Sequence, residues 1–186
     1  AILGPGIRGS CAAVAAKEAG AAFVAMTGVG PRDEQRLAIA RSFGVDLPID
    51  VSQDDAVTAL QRETGGRLAD VVVDVTAKAP SAFADAVDLA RPGGTVVVAG
   101  TRGGGGAPRF EPDLLVYKEL RVVGALGVEY PAYRAALEIL AEGRWPFDRI
   151  TRESTGFAGL APLLTSLADE SARSSGALHN VFLPTP

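Results

Sequence analysis

Three glycines within the first ten residues constrain this chain more than any other feature. The apolar run Ala1-Ile2-Leu3 leads into Gly4, Gly6 and Gly9, whose spacing is G-x-G-x-x-G, and an alanine-rich segment follows. A strand, a glycine turn and a helix in this order are the context in which such spacing indicates a dinucleotide site. Gly4 allows a sharp turn, Gly6 the close approach of a pyrophosphate, and Gly9 tight packing of the helix on the strand.

The helix after this turn is expected to direct its free N–H groups and the positive end of its dipole at phosphate groups. The candidate pyrophosphate-binding residues are therefore Gly4, Gly6, Ile7, Arg8 and Gly9. An ordinary tight turn between a strand and a helix has the same local sequence, so the rest of the chain must decide between the two interpretations.

Short apolar runs alternate with helix-forming segments along most of the chain. Strands are predicted at 1–3, 21–27, within 45–51, and at 70–75, 95–99 and 120–125. Helices are predicted at 8–19, 33–43, 54–63, 80–90, 114–118 and 131–142, with a loop at 28–31 and Asp54 as a helix cap. Such alternation implies right-handed crossovers and one parallel sheet. The predicted fold is α/β, a doubly wound six-stranded parallel sheet of the Rossmann type, with its ligand at the carboxyl ends of the strands.

The chain is predicted to divide into a dinucleotide-binding domain at 1–128 and a C-terminal helix and tail at 129–186. The sequence changes character from Trp145 onward, and this tail is too short to form an ordinary domain. We therefore expect the tail to pack on the sheet and on a catalytic domain that is missing or supplied by a partner. The first strand is already under way at Ala1, which has no methionine before it, so the chain is expected to be a fragment.

Composition excludes several functions for the chain of 186 residues. The net charge of −4 argues against nucleic acid as the main partner, because neutralising phosphates needs an excess of Lys and Arg. No apolar run is long enough to span a membrane, and no signal peptide is visible. The single Cys11 cannot form an internal disulfide and is expected to be packed against the sheet or the turn. We expect a cytoplasmic location.

The end of the second predicted strand bears on the choice of cofactor. An acid there would bind the ribose hydroxyls of NAD and repel the 2′-phosphate of NADP. The strand ends instead at Thr27 and Gly28, and the next carboxylate is Asp33. Gly28 is expected to leave room for a phosphate that Thr27, Arg32 and Arg36 could contact. This pattern favours NADP over NAD, although Arg36 could equally be a solvated helix residue.

Small residues follow three of the later strands, at the edge where a flat ligand would lie. They are Thr76 and Ala77 after the fourth strand, Ala99, Gly100 and Thr101 after the fifth, and Ala125, Leu126 and Gly127 after the sixth. Short loops also favour small residues, so this signal is shared with an ordinary loop.

No catalytic residue is predicted in this chain, and no metal ligand. A single His179 and a single Cys11 cannot form a zinc site with three or four ligands. A closing strand is predicted at 178–183, and His179 near its start is either a surface residue or a contact to a phosphate oxygen.

Taken together, these segments resemble the C-terminal, cofactor-binding half of the medium-chain dehydrogenase/reductase family, the zinc-type alcohol and polyol dehydrogenases. The resemblance covers the whole chain and rests on five stretches: Leu3-Gly4-Pro5-Gly6-Ile7-Arg8-Gly9, Arg36-Leu37-Ala38-Ile39-Ala40-Arg41-Ser42-Phe43-Gly44-Val45-Asp46, Asp70-Val71-Val72-Val73-Asp74-Val75-Thr76, Leu89-Ala90-Arg91-Pro92-Gly93-Gly94-Thr95-Val96-Val97-Val98-Ala99-Gly100 and Lys118-Glu119-Leu120-Arg121-Val122-Val123-Gly124.

The resemblance implies hydride exchange between NAD(P) and an alcohol or carbonyl compound. A catalytic zinc is expected only in an N-terminal GroES-like domain that is absent here, so this chain alone is expected to be inactive. The resemblance places His179 at the cofactor pyrophosphate, and it places Ala99 to Thr101 and Ala125 to Gly127 at the nicotinamide. It also implies a homo-oligomer joined through the sixth strand.

Three other interpretations stay open. A zinc-free quinone or enoyl reductase of the same family fits the same residues. So does a non-catalytic module that binds NAD(P) to regulate a partner. A methyltransferase that binds S-adenosylmethionine has a similar glycine turn, but an acid would be expected at the end of its second strand.

Overall fold

The computed structural model describes residues 1–77, 79–104, 106–150, 152–168 and 177–184. The chain divides into two compact units, Ala1–Trp145 and Pro146–Pro186, each described by itself below. The sequence analysis placed a domain boundary after residue 128, whereas the helix that follows this position lies in the first unit.

A six-stranded sheet forms the centre of the first unit. Its strands lie in the order β3-β2-β1-β4-β5-β6, and every neighbouring pair is parallel. The strands are β1 (Ile2–Leu3), β2 (Ala25–Gly28), β3 (Leu47–Asp50), β4 (Ala69–Asp74), β5 (Ala90–Val98) and β6 (Arg121–Gly124). The direction of winding reverses between β1 and β4, which defines the doubly wound fold. The predicted fold class is therefore confirmed.

Helices follow these strands; the first four bury residues against the two faces of the sheet, whereas the last two bury none of their described residues. They are α1 (Ile7–Glu18), α2 (Gly30–Arg41), α3 (Ala56–Thr64), α4 (Ala82–Leu89), α5 (Asp113–Tyr117) and α6 (Tyr130–Glu142). Successive strand residues point to opposite faces. Ile2 accordingly packs with α1 and α2 residues such as Ala13 and Leu37, whereas Leu3 packs with α3 and α4 residues such as Leu60 and Ala86.

A half-buried lysine fixes the start of β6 against the end of α4. Lys118 Nζ donates to the carbonyl oxygens of Val87, Asp88 and Ala90 at 2.8, 3.0 and 2.9 Å. Burial lowers the pKa of Lys118, while the nearby Asp88 carboxylate acts in the opposite direction. The three carbonyls lie at the C-terminal end of the helix, where a cation is favoured by the helix dipole.

Several predicted boundaries were wrong. Helix α2 begins at Gly30, inside the predicted loop, because Pro31 suits a first helical turn and Asp33 accepts the N–H of Val29. The cap of α3 is Asp55 and not Asp54, since Asp55 Oδ1 accepts the N–H of Thr58 at 2.8 Å.

Two further differences concern a strand and a cysteine. Strand β5 begins at Ala90, well before the predicted residue 95, because Ala90 already pairs with Ala69 ahead of an irregular step in the register. Cys11 is exposed on α1 and is not packed, in contrast to the prediction.

The second unit contains a short parallel pair of strands. A 3-10 helix (Phe147–Arg149) precedes β7 (Arg152–Thr155), α7 (Phe157–Ala168) and β8 (His179–Phe182). Strand β7 pairs with β8, and the rings of Phe157 and Phe182 meet edge to face at 5.1 Å. The sequence analysis missed β7 because the residues Arg-Glu-Ser-Thr show no apolar alternation. None of the helices among the described residues has the length and apolar character needed to cross a lipid bilayer.

Candidate functional site

The turn between β1 and α1 disfavours a side chain at two of its three glycines, at Gly4 through backbone conformation and at Gly9 through packing. Gly4 adopts a φ of +104°, and its N–H donates to the carbonyl of Thr27 at 3.2 Å. A Cβ on Gly9 would lie 2.0 Å from the carbonyl oxygen of Gly4. The start of α1 therefore rests directly on the backbone of the turn, as the roles of Gly4 and Gly9 in the sequence analysis require.

Gly6 lies in the same turn but faces open space. It is the N-terminal cap of α1, no side chain caps the helix there, and a Cβ on Gly6 would meet no atom within 4 Å. The first N–H groups of a helix have no acceptors within the helix. A space beside these donors suits an anion, so the residues present fit a pyrophosphate.

Two other side chains belong to this first turn of α1. Arg8 is an exposed cation, whereas Ile7 is half-buried. The hydroxyl of Ser10 is buried and has no hydrogen-bond partner among the residues that the structure describes.

The ends of β1, β4 and β5 meet beside the glycine turn. A Cβ on Gly4 would lie 3.2 Å from Cγ2 of Thr76, and a Cβ on Gly100 would lie 1.7 Å from the carbonyl oxygen of Thr76. The N–H groups of Ala99 and Gly100 both donate to the backbone carbonyl of Asp74, at 2.9 and 3.0 Å. The structure therefore brings together the predicted residues that follow β4 and β5.

The segment after β6 continues the same edge of the sheet. The N–H of Ala125 donates to the carbonyl of Val98 at 2.9 Å. Leu126 is almost fully exposed, and Gly127 has a φ of +75° that favours glycine. The three predicted residues therefore follow strand β6, and the apolar side chain of Leu126 is not packed against the rest of the described chain.

A buried ion pair lies behind these strand ends, and the sequence analysis did not predict it. The carboxylate of Asp74 is fully buried, and Oδ1 accepts the N–H and the hydroxyl of Thr76 at 3.0 and 2.6 Å. Its Oδ2 pairs with Nη2 of Arg102. The one available signal was an acid at the end of an otherwise apolar strand, where a buried charge needs a partner.

The end of β2 differs from the expectation that Gly28 leaves room for a phosphate. A Cβ on Gly28 would lie 3.0 Å from each of three side chains, those of Pro5, Asp33 and Leu37. That premise of the sequence analysis was wrong, because α2 starts early and fills the space. Thr27 is buried beside it.

Charged groups of both signs surround the end of β2. Asp33 is buried, and its carboxylate accepts hydrogen bonds from the N–H of Val29 at 3.0 Å and from Nη1 of Arg36 at 3.3 Å. Arg32 lies 3.8 Å from the same carboxylate and has a half-exposed side chain. Arg36 therefore forms an ion pair with Asp33, whereas the Arg32 side chain is half-exposed to solvent.

A second carboxylate lies one strand further, at the end of β3. The N–H of Gly30 donates to Asp50 at 2.8 Å, and the hydroxyl and N–H of Ser52 donate to the same oxygen. These hydrogen bonds, the one from Gly30 first, hold the pKa of Asp50 below its ordinary value.

His179 belongs to the second unit, where it starts β8 and pairs in register with Arg152 of β7. Its predicted contact with a pyrophosphate stays a prediction, as do the cofactor roles of the other named residues. In the described part of the chain, no group of three or more His, Cys, Asp or Glu side chains is arranged to hold a metal ion.

Comparison with known proteins agrees with this geometry. Residues 9–142 match the family described as zinc-binding dehydrogenases. The chain is 64% identical over 185 residues to a probable alcohol dehydrogenase of Mycobacterium tuberculosis, covering 99% of this chain and 50% of that protein. The chain thus spans about half the length of this curated relative.

Solved structures show the same fold. An alcohol dehydrogenase of Thermotoga maritima superposes with a TM-score of 0.82 at 23% identity, covering 99% of this chain and 49% of that one. An Escherichia coli alcohol dehydrogenase in complex with NADH superposes with a TM-score of 0.73 at 20% identity, covering 92% of this chain and 48% of that one.

The strand order and the glycine turn define a Rossmann-type α/β fold. The chain belongs to the zinc-binding dehydrogenase family, the oxidoreductase family that includes the alcohol dehydrogenases.

Gly9 and Gly6 should respond differently to the same substitution. Gly9→Ala is expected to lower the free energy of unfolding by about 2 kcal/mol, since the added methyl group pushes α1 off the turn. Gly6→Ala should cost less than about 1 kcal/mol, because its methyl group enters open space. Chemical denaturation followed by circular dichroism measures both, and equal losses for the two variants would contradict the packing described above.

Proposed function

We propose that this chain is the cofactor-binding part of an NAD(P)-dependent alcohol dehydrogenase or carbonyl reductase. The observation that carries the proposal is the open space at Gly6, which lies at the start of α1 between the two tightly packed glycines Gly4 and Gly9. The bound nicotinamide supplies a hydride acceptor or donor for the alcohol or carbonyl substrate. This chain holds and orients the cofactor at the carboxyl edge of the sheet.

The two halves of the cofactor are proposed to lie on opposite sides of the glycine turn. Its pyrophosphate is held by the N–H groups of the first turn of α1, with Arg8 as a neighbouring cation. The adenosine half lies toward Thr27, Gly28 and Arg32. The nicotinamide half lies along the ends of β4, β5 and β6, where small residues leave the backbone accessible.

The proposal includes a preference for NADP over NAD. It now rests on Arg32, whose half-exposed guanidinium is available to a 2′-phosphate. Two carboxylates nearby, Asp33 and Asp50, oppose it, but each is engaged by backbone N–H groups. Arg32 is then the exposed cation near this strand end, since both carboxylates accept hydrogen bonds from the backbone.

Direct titration tests both the site and its preference. The chain is expected to bind NADPH more tightly than NADH, as measured by cofactor fluorescence. Gly6→Val should weaken both ligands at least about tenfold, since its side chain enters the space beside the helix N–H groups. Tight binding by Gly6→Val would overturn the proposed site.

Two arginines on α2 provide the test of preference. Arg32→Ala should weaken NADPH by about tenfold and NADH by less than about twofold, because only NADPH carries the 2′-phosphate. Arg41→Ala, at the exposed far end of the same helix, is the matched control and should change neither. NADH binding that equals or exceeds NADPH binding would contradict the preference.

Residues outside this chain are proposed to supply the catalytic groups and the zinc. Tyr130, Tyr133, Leu137 and Leu140 of α6 are all exposed, and their spacing places them along one side of the helix. We propose that α6 and the tail at 129–186 pack on a GroES-like catalytic domain. An exposed apolar row of this kind marks a surface that another structure covers.

The 186-residue chain alone should therefore bind cofactor without turning over substrate. Incubation with NADP⁺ and a panel of primary and secondary alcohols is expected to produce no absorbance at the wavelength of reduced nicotinamide. Reduction at a rate proportional to chain concentration would contradict this and would place the catalytic groups inside the chain.

Strand β6 is proposed to join two copies of the chain. It pairs with β5 on one side, and Val122 and Val123 are each 43% exposed. An uncovered edge strand is a template for pairing with another strand, and a second copy related by a two-fold axis satisfies it.

Sedimentation velocity tests this association. The chain is expected to sediment as a dimer and Val122→Lys as a monomer, because the charge would be buried in the joint sheet. Val51→Lys is the matched control, since Val51 follows β3 at the opposite edge of the sheet and is 42% exposed. A monomeric parent chain, or an equal response to both substitutions, would exclude association through β6.

A further inference from the structure

The ion pair between Asp74 and Arg102 connects two loops that flank the proposed nicotinamide half. Asp74 closes the turn after β4 through the N–H and hydroxyl of Thr76. Its backbone carbonyl accepts the N–H groups of Ala99 and Gly100 after β5. One residue therefore sets both loops, with its side chain on one and its backbone on the other.

Arg102 connects the same two loops from the other direction. Its Nη2 pairs with Asp74, and its Nη1 donates to the carbonyl of Gly100 at 3.3 Å. The guanidinium carbon lies 6.0 Å from the centre of the Phe83 ring, at the outer range of a cation–π contact. Its side chain is only 11% exposed, and Nε is buried without a partner among the described residues.

Stability alone is a poor reason for such a pair. Removing two charges from water costs about as much as their attraction returns, and apolar residues of similar volume are often as stable. Asp74 lies in register between Leu3 of β1 and Val98 of β5, where an apolar side chain would fit the pattern of the neighbouring strands. The hydrogen bonds of Asp74 and Arg102 are directional. They fix the turn at Thr76 and the carbonyl of Gly100, which an apolar residue would leave free.

We propose that Asp74 and Arg102 are positioning residues that hold the loops after β4 and β5 at the separation required by the nicotinamide half of the cofactor. The inference rests on the proposed function. The pair acts through the Thr76 turn and the Gly100 carbonyl. The pyrophosphate lies at the glycine turn and the adenosine half lies on its other side, so neither depends on the pair.

Comparing each dinucleotide with its nicotinamide-free fragment tests this division. Isothermal titration of the 186-residue chain uses NADH against ADP-ribose and NADPH against 2′-phospho-ADP-ribose. Arg102→Met is expected to weaken the dinucleotides about tenfold and the fragments by less than about twofold, since only the dinucleotides contact the loops that it releases. Arg102→Lys, which keeps the charge, should recover part of the loss.

A second variant and a matched control keep the result interpretable. Asp74→Asn keeps the shape of the side chain and should show the same selective loss even where Arg102→Met folds poorly. Arg109→Met is the control, because Arg109 lies further along the segment between β5 and α5 and pairs with Asp85 in an exposed ion pair. It should change neither class of ligand.

The outcomes separate this inference from the function on which it rests. Equal weakening of dinucleotides and fragments by Arg102→Met and Asp74→Asn, or no weakening of either, would overturn the positioning role while the parent chain still binds all four ligands. A parent chain that binds neither dinucleotides nor fragments would overturn the proposed function together with the inference.

Discussion

Two contacts of backbone on backbone organise the carboxyl edge of the sheet. The start of α1 rests on the carbonyl of Gly4, and the end of β5 rests on the carbonyl of Thr76; a single Cβ at Gly9 or Gly100 would lie 2.0 or 1.7 Å from those oxygens. No side chain can be accommodated there without moving the main chain. These approaches bring one helix and three strand ends together, and they leave the space at Gly6 as a gap between rigid parts.

Glycine has a different meaning at the end of β2. Gly28 has no room for a Cβ, because Pro5, Asp33 and Leu37 already approach its place. The carboxylate nearest this strand end belongs to Asp33 of α2, and the N–H of Val29 fixes it in place. The absence of an acid in the strand is therefore offset by an acid from the following helix, so reading the strand residue alone overstates the room and the positive charge available to a phosphate.

The parts of the structure that follow from local pattern were predictable. The parallel sheet and the glycine turn depend on short apolar runs and on glycine spacing, both of which are visible in a few neighbouring residues. The pair formed by Asp74 and Arg102 joins residues 28 positions apart, and nothing near either residue identifies its partner. Strand β7 was not predicted for a related reason. It is a strand because it pairs with β8, and its own residues show no apolar alternation. The early start of α2 likewise depends on how Asp33 meets the backbone of Val29.

The carboxyl edge of the sheet differs from its interior in the chemical groups that the strands present. In the interior of the sheet, the strands bury apolar side chains on both faces, such as Ile2 and Leu3 on β1. The carboxyl edge instead carries glycines, Thr76 and the buried charges of Asp74 and Arg102, with backbone N–H and carbonyl groups between them. Backbone N–H and carbonyl groups are hydrogen-bond donors and acceptors, so this edge offers hydrogen bonds that do not depend on side-chain conformation. The charges of Asp74 and Arg102 are held within buried hydrogen bonds, so this pair orders the loops after β4 and β5 without adding a charged group to the surface of the edge.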